Sequence, residues 1–236
     1  MIKLYQFPSP KCFPNFSPFC VKLETYLKLA NIPYENVFTL SMKKNPKKLI
    51  PFIEINGKIM GDSTLIIDFL KTQYGDRVDH HLSKEQQAIS YAFISMIENH
   101  MYPFGIYFRW VDKIGFSQFR ELVFAKAPKI IKLIIGNTLS KKIARRLHLQ
   151  GISRFTLEEM MHIVSGDLEA LSTYLGDKPF FFGDRPSLLD IVSFAMIGNT
   201  SLIPIETALK ALTLEPRFSN LVEHARKMLT IFYPDK

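Results

Sequence analysis

The chain is short of cysteine: among 236 residues only Cys12 and Cys20 occur. Two thiols cannot build a disulfide scaffold, and their scarcity fits a reducing compartment. Long apolar runs are missing too. The longest candidates are interrupted by Lys132, Lys141 or Asp190 before they reach the ~18 residues a bilayer span needs, so no membrane-crossing helix is expected. The opening MIKLYQFP has no basic stretch followed by an apolar one, which speaks against a secretory signal and makes the cytosol the default compartment. Internal repeats and low-complexity segments are absent. Acidic residues are scarce in one place: residues 113–149 hold nine Lys and Arg against the single acid Glu121, which accounts for the entire net charge of +8. Its stretch FAKAPKIIKLIIGNTLSKKIARRL interleaves cations with aliphatics and lacks the interleaved aromatics and Gly-rich loops of single-strand binders, so nucleic acid is not an expected partner. A solvated helix face or an anionic lipid or substrate surface remains. What is abundant is apolar side chain, 47% of the chain, enough for one large core or two smaller ones.

Along the chain, the alternating residues 2–7 read as a strand, followed by the Pro- and Phe-rich loop SPKCFPNFSPF. A helix is expected from Pro18, capped by Ser17, with Cys20, Leu23, Leu27 and Ala30 on one face and Asn31 and Pro33 at its end. Residues 34–40 read as a second strand. Asn56-Gly57 predicts a type I′ hairpin over residues 52–60, and DSTLIIDFLKTQYG a helix ending at Gly75. Strand, helix, strand, irregular connection, hairpin, helix is the element order of a thioredoxin-like domain. Beyond a polar stretch at 76–83 only helical periods follow. Ser83 with Gln86, Thr156 with Glu159 and Ser187 with Asp190 each predict a capping box that starts a helix. The division is residues 1–77 and 83–236, an α/β domain followed by an all-helical one.

Several stretches resemble a known family. SPFCVKLETYLKLANIPYE (17–35) and IPFIEINGKIMGDSTLIIDFL (50–70) are similar to glutathione S-transferase-like proteins. QGISRFTLEEM (150–160) and DLEALSTYLGDKPFFFGDRPSLLDIVSFA (167–195) resemble their Fax (failed axon connections) and metaxin-like branch. The likeness spans nearly the whole chain and is weakest over residues 110–148. It implies a thioredoxin-like N-terminal domain that binds glutathione as co-substrate, a helical C-terminal domain, a small electrophilic acceptor held between them, and a homodimer. The rival it implies is a non-catalytic, metaxin-like targeting module with a membrane-surface role through residues 113–149. No metal is implied.

Carried onto this sequence, the resemblance assigns Ile50 the backbone contacts to the cysteinyl unit, with Ile50-Pro51 cis. It assigns Asp62 and Ser63 the γ-glutamyl charges at a helix N-terminus, whose unpaired N–H groups suit a carboxylate. Each is also a plain helix cap in its bland reading. Lys47 and Lys48 are within sequence reach of the glycyl carboxylate, or are simply solvated. The thiol has rival candidates. Ser17 stands where a Cys-x-x-Cys motif has its first cysteine, which disfavours dithiol exchange. Ser17 is the expected catalytic contact, with Tyr5 at the end of the first strand as the alternative. Cys20 reads as a buried structural thiol and Cys12 as an incidental one. Tyr107, Arg109 and Trp110, expected just after the long helix that starts at Ser83, are acceptor-site candidates or core. The run from Pro179 to Asp190 reads as structural.

Overall fold

A parallel strand pair needs a crossover, and here a helix supplies it. In the computed structural model, which describes residues 1–125 and 127–236, β1 (Ile2–Gln6) runs parallel to β2 (Tyr34–Phe38), with α1 (Pro18–Leu29) between them in sequence. Lys126, one of the nine cations of the basic segment, lies outside the described residues. β3 (Phe52–Ile55) lies antiparallel on the other side of β1, and β4 (Lys58–Gly61) completes the order β2-β1-β3-β4. The hairpin turns on Asn56 and Gly57 at φ of 50° and 74°, the left-handed pair that a type I′ turn requires. α2 (Ser63–Tyr74) follows the sheet and ends at Gly75 with φ 78°.

The helical region begins with a rod longer than its sequence signal. α3 (Lys84–Met96) runs through a π-helical turn (Ile97–Met101) directly into α4 (Tyr102–Trp110). Tyr107, Arg109 and Trp110 therefore lie on this rod and do not follow it, Pro103 falling in the first turn of α4 right after the widened turn. α5 (Lys113–Val123) and α6 (Lys129–Leu149) form an outlying pair, and α7 (Leu157–Leu175), α8 (Leu188–Ser201), α9 (Ala208–Thr213) and α10 (Ser219–Phe232) complete the domain. The capping signals at Ser83, Thr156 and Ser187 start α3, α7 and α8 as read. In the third, the Ser187 N–H and hydroxyl both donate to Asp190 Oδ2, at 2.8 and 2.6 Å. The buried Asp190 also accepts the Phe181 N–H at 3.0 Å, and His224 Nε2 lies 2.8 Å from it.

The two halves share one core. Ile2, Leu4 and Ile53 from one sheet face, Val21 and Leu27 of α1, and Leu189, Phe194 and Ile197 of α8 belong to a single buried cluster. α1 lies between the sheet and α8, so every residue from 20 to 27 is buried, the polar ones included.

Candidate functional site

Four pieces of backbone converge beside the first turn of α1. Pro18 begins the helix, so its missing N–H costs nothing there. Ser17 takes the N-cap backbone position (φ −91°, ψ 118°), yet its side chain makes no capping bond. Its N–H donates to Asn15 Oδ1 at 3.0 Å. The expected cap role for the Ser17 side chain is thus not realised. Cys20 is fully buried, and desolvation pushes its thiol up to about 12 against the Ser17 and Phe7 hydrogen bonds that favour the thiolate. It is a structural thiol. Cys12 is half-buried against the core cluster.

The second piece is the loop before β3. Ile50-Pro51 is cis, and Ile50 is buried in a small cluster with Cys20, Tyr5 and Phe52. Asn45, itself buried, fastens this loop: its Nδ2 donates to the Leu49 carbonyl at 2.6 Å and its Oδ1 accepts the Lys47 N–H at 3.0 Å. Its side chain fills the space over Gly61 that a Cβ would occupy.

The third piece follows from register. Phe52 pairs with Gly61, so the residues one step outward, Pro51 and Asp62, come side by side. Asp62 sits at φ 85°, a region costly for a residue with a Cβ, and its Oδ1 accepts the N–H groups of Thr64 and Leu65 at 3.1 and 3.3 Å. Its Oδ2 is 3.7 Å from Lys47 Nζ. Lys48, at φ 55°, turns away and donates to the Lys43 carbonyl. Ser63 is 5% exposed, and among the described residues neither its N–H nor its hydroxyl has a hydrogen-bond partner. An unengaged donor pair at the start of a two-turn or longer helix is the local equivalent of an anion socket.

The fourth piece comes from the helical domain and was not legible as site material. Lys22, 2% exposed in the middle of α1, donates to Thr64 Oγ1 at 2.9 Å and to Glu98 Oε1 at 2.7 Å. Glu98 is on the π-helical turn, so one ammonium separates that turn from the start of α2. The widened turn was the missing signal, since i→i+5 bonding leaves no sequence period. Pro18, Phe19, Lys22, Glu98 and Tyr102 line a narrow crevice at this junction, where the Phe19 and Tyr102 rings meet edge to face at 4.7 Å. Desolvation raises the Tyr102 phenol above its usual range, opposed by Arg146 and Arg109.

The alternative thiol contact, Tyr5, belongs to the same small cluster as Ile50 and Cys20. Tyr5 points to the sheet face opposite Leu4, stacks on Phe52 at 4.4 Å, and donates its hydroxyl to Glu54 Oε2 at 2.8 Å. Lys44 approaches the same hydroxyl at 3.3 Å. Arg109 is also committed: its guanidinium donates to the carbonyls of Phe16 (2.8 Å) and Asn199 (2.6 Å), and desolvation pulls its pKa down to about 10. Trp110 meets Phe119 edge to face at 5.1 Å, and Tyr107 packs on the core. A groove of about 590 Å³ between α3 and α7 contains none of the converging residues.

Residues 18–115 match the glutathione S-transferase N-terminal domain and residues 164–228 the glutathione S-transferase C-terminal domain. An isoprene-epoxide–glutathione S-transferase of Rhodococcus sp. (strain AD45) is 30% identical over 84% of this chain and 86% of its own. The chain belongs to the glutathione S-transferase family. Failed axon connections of Drosophila melanogaster is 33% identical over 100% of this chain, which spans 59% of that longer protein. Human metaxin-2 is 22% identical over 91% of this chain and 81% of its own. In three dimensions, a glutathione transferase family member from Pseudomonas fluorescens, solved with two glutathione molecules bound, superposes at TM-score 0.61 with 16% identity, over 97% of this chain and 88% of that one. The resemblance read from residues 17–35 and 150–195 is thereby established, for the family and for its Fax- and metaxin-like relatives.

Proposed function

We propose that the cleft binds glutathione and presents its thiolate to a small electrophilic acceptor. The observation that carries this reading is Ser63: nearly buried, at the N-terminus of α2, with N–H and hydroxyl both unengaged beside the cis Ile50-Pro51 bond. A γ-glutamyl carboxylate satisfies both donors. Its ammonium falls between Asp62 and Glu98, the two carboxylates that flank the α2 start, and the Ile50 backbone takes the cysteinyl unit. The thiol then lies toward Ser17, whose hydroxyl is free of capping duty. A thiol of pKa about 8.5 needs only ~2 kcal/mol from such a donor and a helix N-terminus to be mostly thiolate at neutral pH. Attack forms a C–S bond as the electrophile's leaving bond breaks; epoxides, named in the Rhodococcus relative, are the first acceptors to try. On this reading the protein is cytosolic and homodimeric.

Calorimetric titration with reduced glutathione tests it. Binding by the native protein that Ser63→Ala weakens by about 1 to 3 kcal/mol supports the reading; no heat from the native protein refutes it. Ser17→Ala should raise the thiol pKa of the bound peptide, read from thiolate absorbance against pH. The metaxin relatives, one of them named as a mitochondrial outer membrane import complex protein, support the rival reading of a non-catalytic module at a membrane surface, and the outward face of α6 is the observation that favours it.

A further inference from the structure

α6 is built inside out in its first half. Ile130, Ile131, Leu133, Ile134, Ile135 and Leu139 are 71%, 44%, 38%, 62%, 44% and 37% exposed. The one charge among residues 130–139, Lys132, is turned under, 14% exposed and 2.9 Å from Glu121 of α5. Gly136 also faces α5, where a Cβ would come within 2.9 Å of the Arg120 side chain. A helix whose outer side met only water would reverse this, with lysine out and isoleucine in.

The second half continues the same outward side with cations. Lys141 and Lys142 stand seven residues after Ile134 and Ile135, and Arg145 and Arg146 eleven after the same pair, so helical periodicity stacks them along one line. All four are exposed. Ser140 marks the change, its hydroxyl donating to the Trp110 carbonyl at 2.6 Å. No acid occurs anywhere in α6 (Lys129–Leu149). Apart from Lys129, exposed at the first position of the helix, apolar and basic surface are therefore divided along the helix axis rather than around it.

We propose that this face docks on an anionic phospholipid bilayer, with α6 tilted so that its aliphatic first half enters one leaflet and its basic second half rests at the phosphates. The lengths agree: ten residues of helix rise about 15 Å, half of a ~30 Å hydrocarbon core. The charges decide the occupant. A second copy of the chain would set like charges against like, whereas anionic headgroups complement Lys141, Lys142, Arg145 and Arg146. The inference rests on the metaxin-like membrane-surface reading and is independent of glutathione, so titration with the peptide and binding to vesicles fail separately.

The test is co-sedimentation of the full chain with phosphatidylcholine vesicles containing none or a third of phosphatidylserine. Partitioning should require the anionic lipid, weaken with salt, and fall about fivefold for each of Lys141→Gln and Arg145→Gln. Ile130→Gln with Ile134→Gln should reduce it at least tenfold without changing the melting temperature. In a Trp110→Phe background, the emission of Ile134→Trp should be quenched by acyl-chain-brominated lipid and that of Arg145→Trp much less. Absence of vesicle binding, indifference to phosphatidylserine, or retention of binding in the double Gln variant overturns the proposal. So does a concentration-dependent dimer that the same two substitutions dissolve, which would make this face an interface between copies.

Discussion

α1 and α6 invert each other. α1 carries Lys22, Glu24 and Thr25, and all three are buried; α6 carries four isoleucines in its first two turns, and all are exposed. Composition does not decide this, since both helices mix charge with aliphatics. What decides it is the supply of partners. Lys22 reaches Glu98 and Thr64, Glu24 accepts from Gln6, Tyr34 and Asn36, and the Thr25 and Tyr233 hydroxyls lie 3.0 Å apart. A buried polar group is tolerable when it has hydrogen-bond partners, and Lys22, Glu24 and Thr25 find theirs in groups drawn from both domains. Among the described residues α6 lies mainly on α4, α5 and the turn after it, and it shelters Lys132 and leaves its isoleucines out.

The largest expected effect breaks the α1 side. Lys22→Met leaves Glu98 at the junction without its cation, and chemical denaturation should show a loss of about 3 kcal/mol. Lys22→Met with Glu98→Gln should recover part of it, since the isolated charge goes too; no recovery would mean that the ammonium's packing, and not the pair, matters. Next is Tyr233→Phe, which leaves the Thr25 hydroxyl buried and alone at a cost of about 1 to 2 kcal/mol.

On the α6 side the effects on folding are smaller. The hydrogen bond from Lys132, with the neighbouring Lys132, Arg120 and Lys129 charges, outweighs desolvation and holds Glu121 below the usual carboxylate range. A carboxylate depressed in the folded state adds stability that is present above its unfolded value of about 4.3 and lost as pH falls through the folded one. NMR titration should find the Glu121 pKa rising toward that ordinary value in Lys132→Gln. An unchanged value would show that the pair is not maintained in solution. Smallest of all, Ile130→Gln and Ile134→Gln should each change stability by less than about 0.5 kcal/mol, because neither side chain leaves water on folding. A larger loss would mean that the two isoleucines are covered within the protein itself.

The same contrast explains what could be read from the residues in advance. Signals carried by backbone geometry were legible: the Asn56-Gly57 turn, the three capping pairs, and the apolar line of Cys20, Leu23, Leu27 and Ala30 on α1. The family resemblance pointed to the cis Ile50-Pro51 bond and to Asp62 and Ser63 at the start of α2. What depended on distant partners was not legible. Lys22 and Glu98 are 76 residues apart, and no local pattern announces their meeting. Ser17 has the sequence of a cap and the backbone of one, but its side chain makes no capping bond. The basic segment was recognised as surface helix, while the division of its face along the axis needed the position of α5.

The grip of Arg109 has a consequence for how the cleft is measured out. Arg109 and Asn199 Nδ2 hold the carbonyls of Phe16 and Asn15, so the chain entering Ser17 takes its position from α4 and α8. Ile50, Asp62 and Ser63 take theirs from the sheet. The two ends of any ligand stretched between them are thus referred to different domains, and the interdomain packing works as the gauge that sets the span. Gly198 is one graduation on that gauge: a Cβ there would meet the Phe13 ring at 2.7 Å, in the loop that leads to Ser17. A methyl group added on α8 would therefore be felt as a change in the length of ligand accepted, without touching any residue of the cleft.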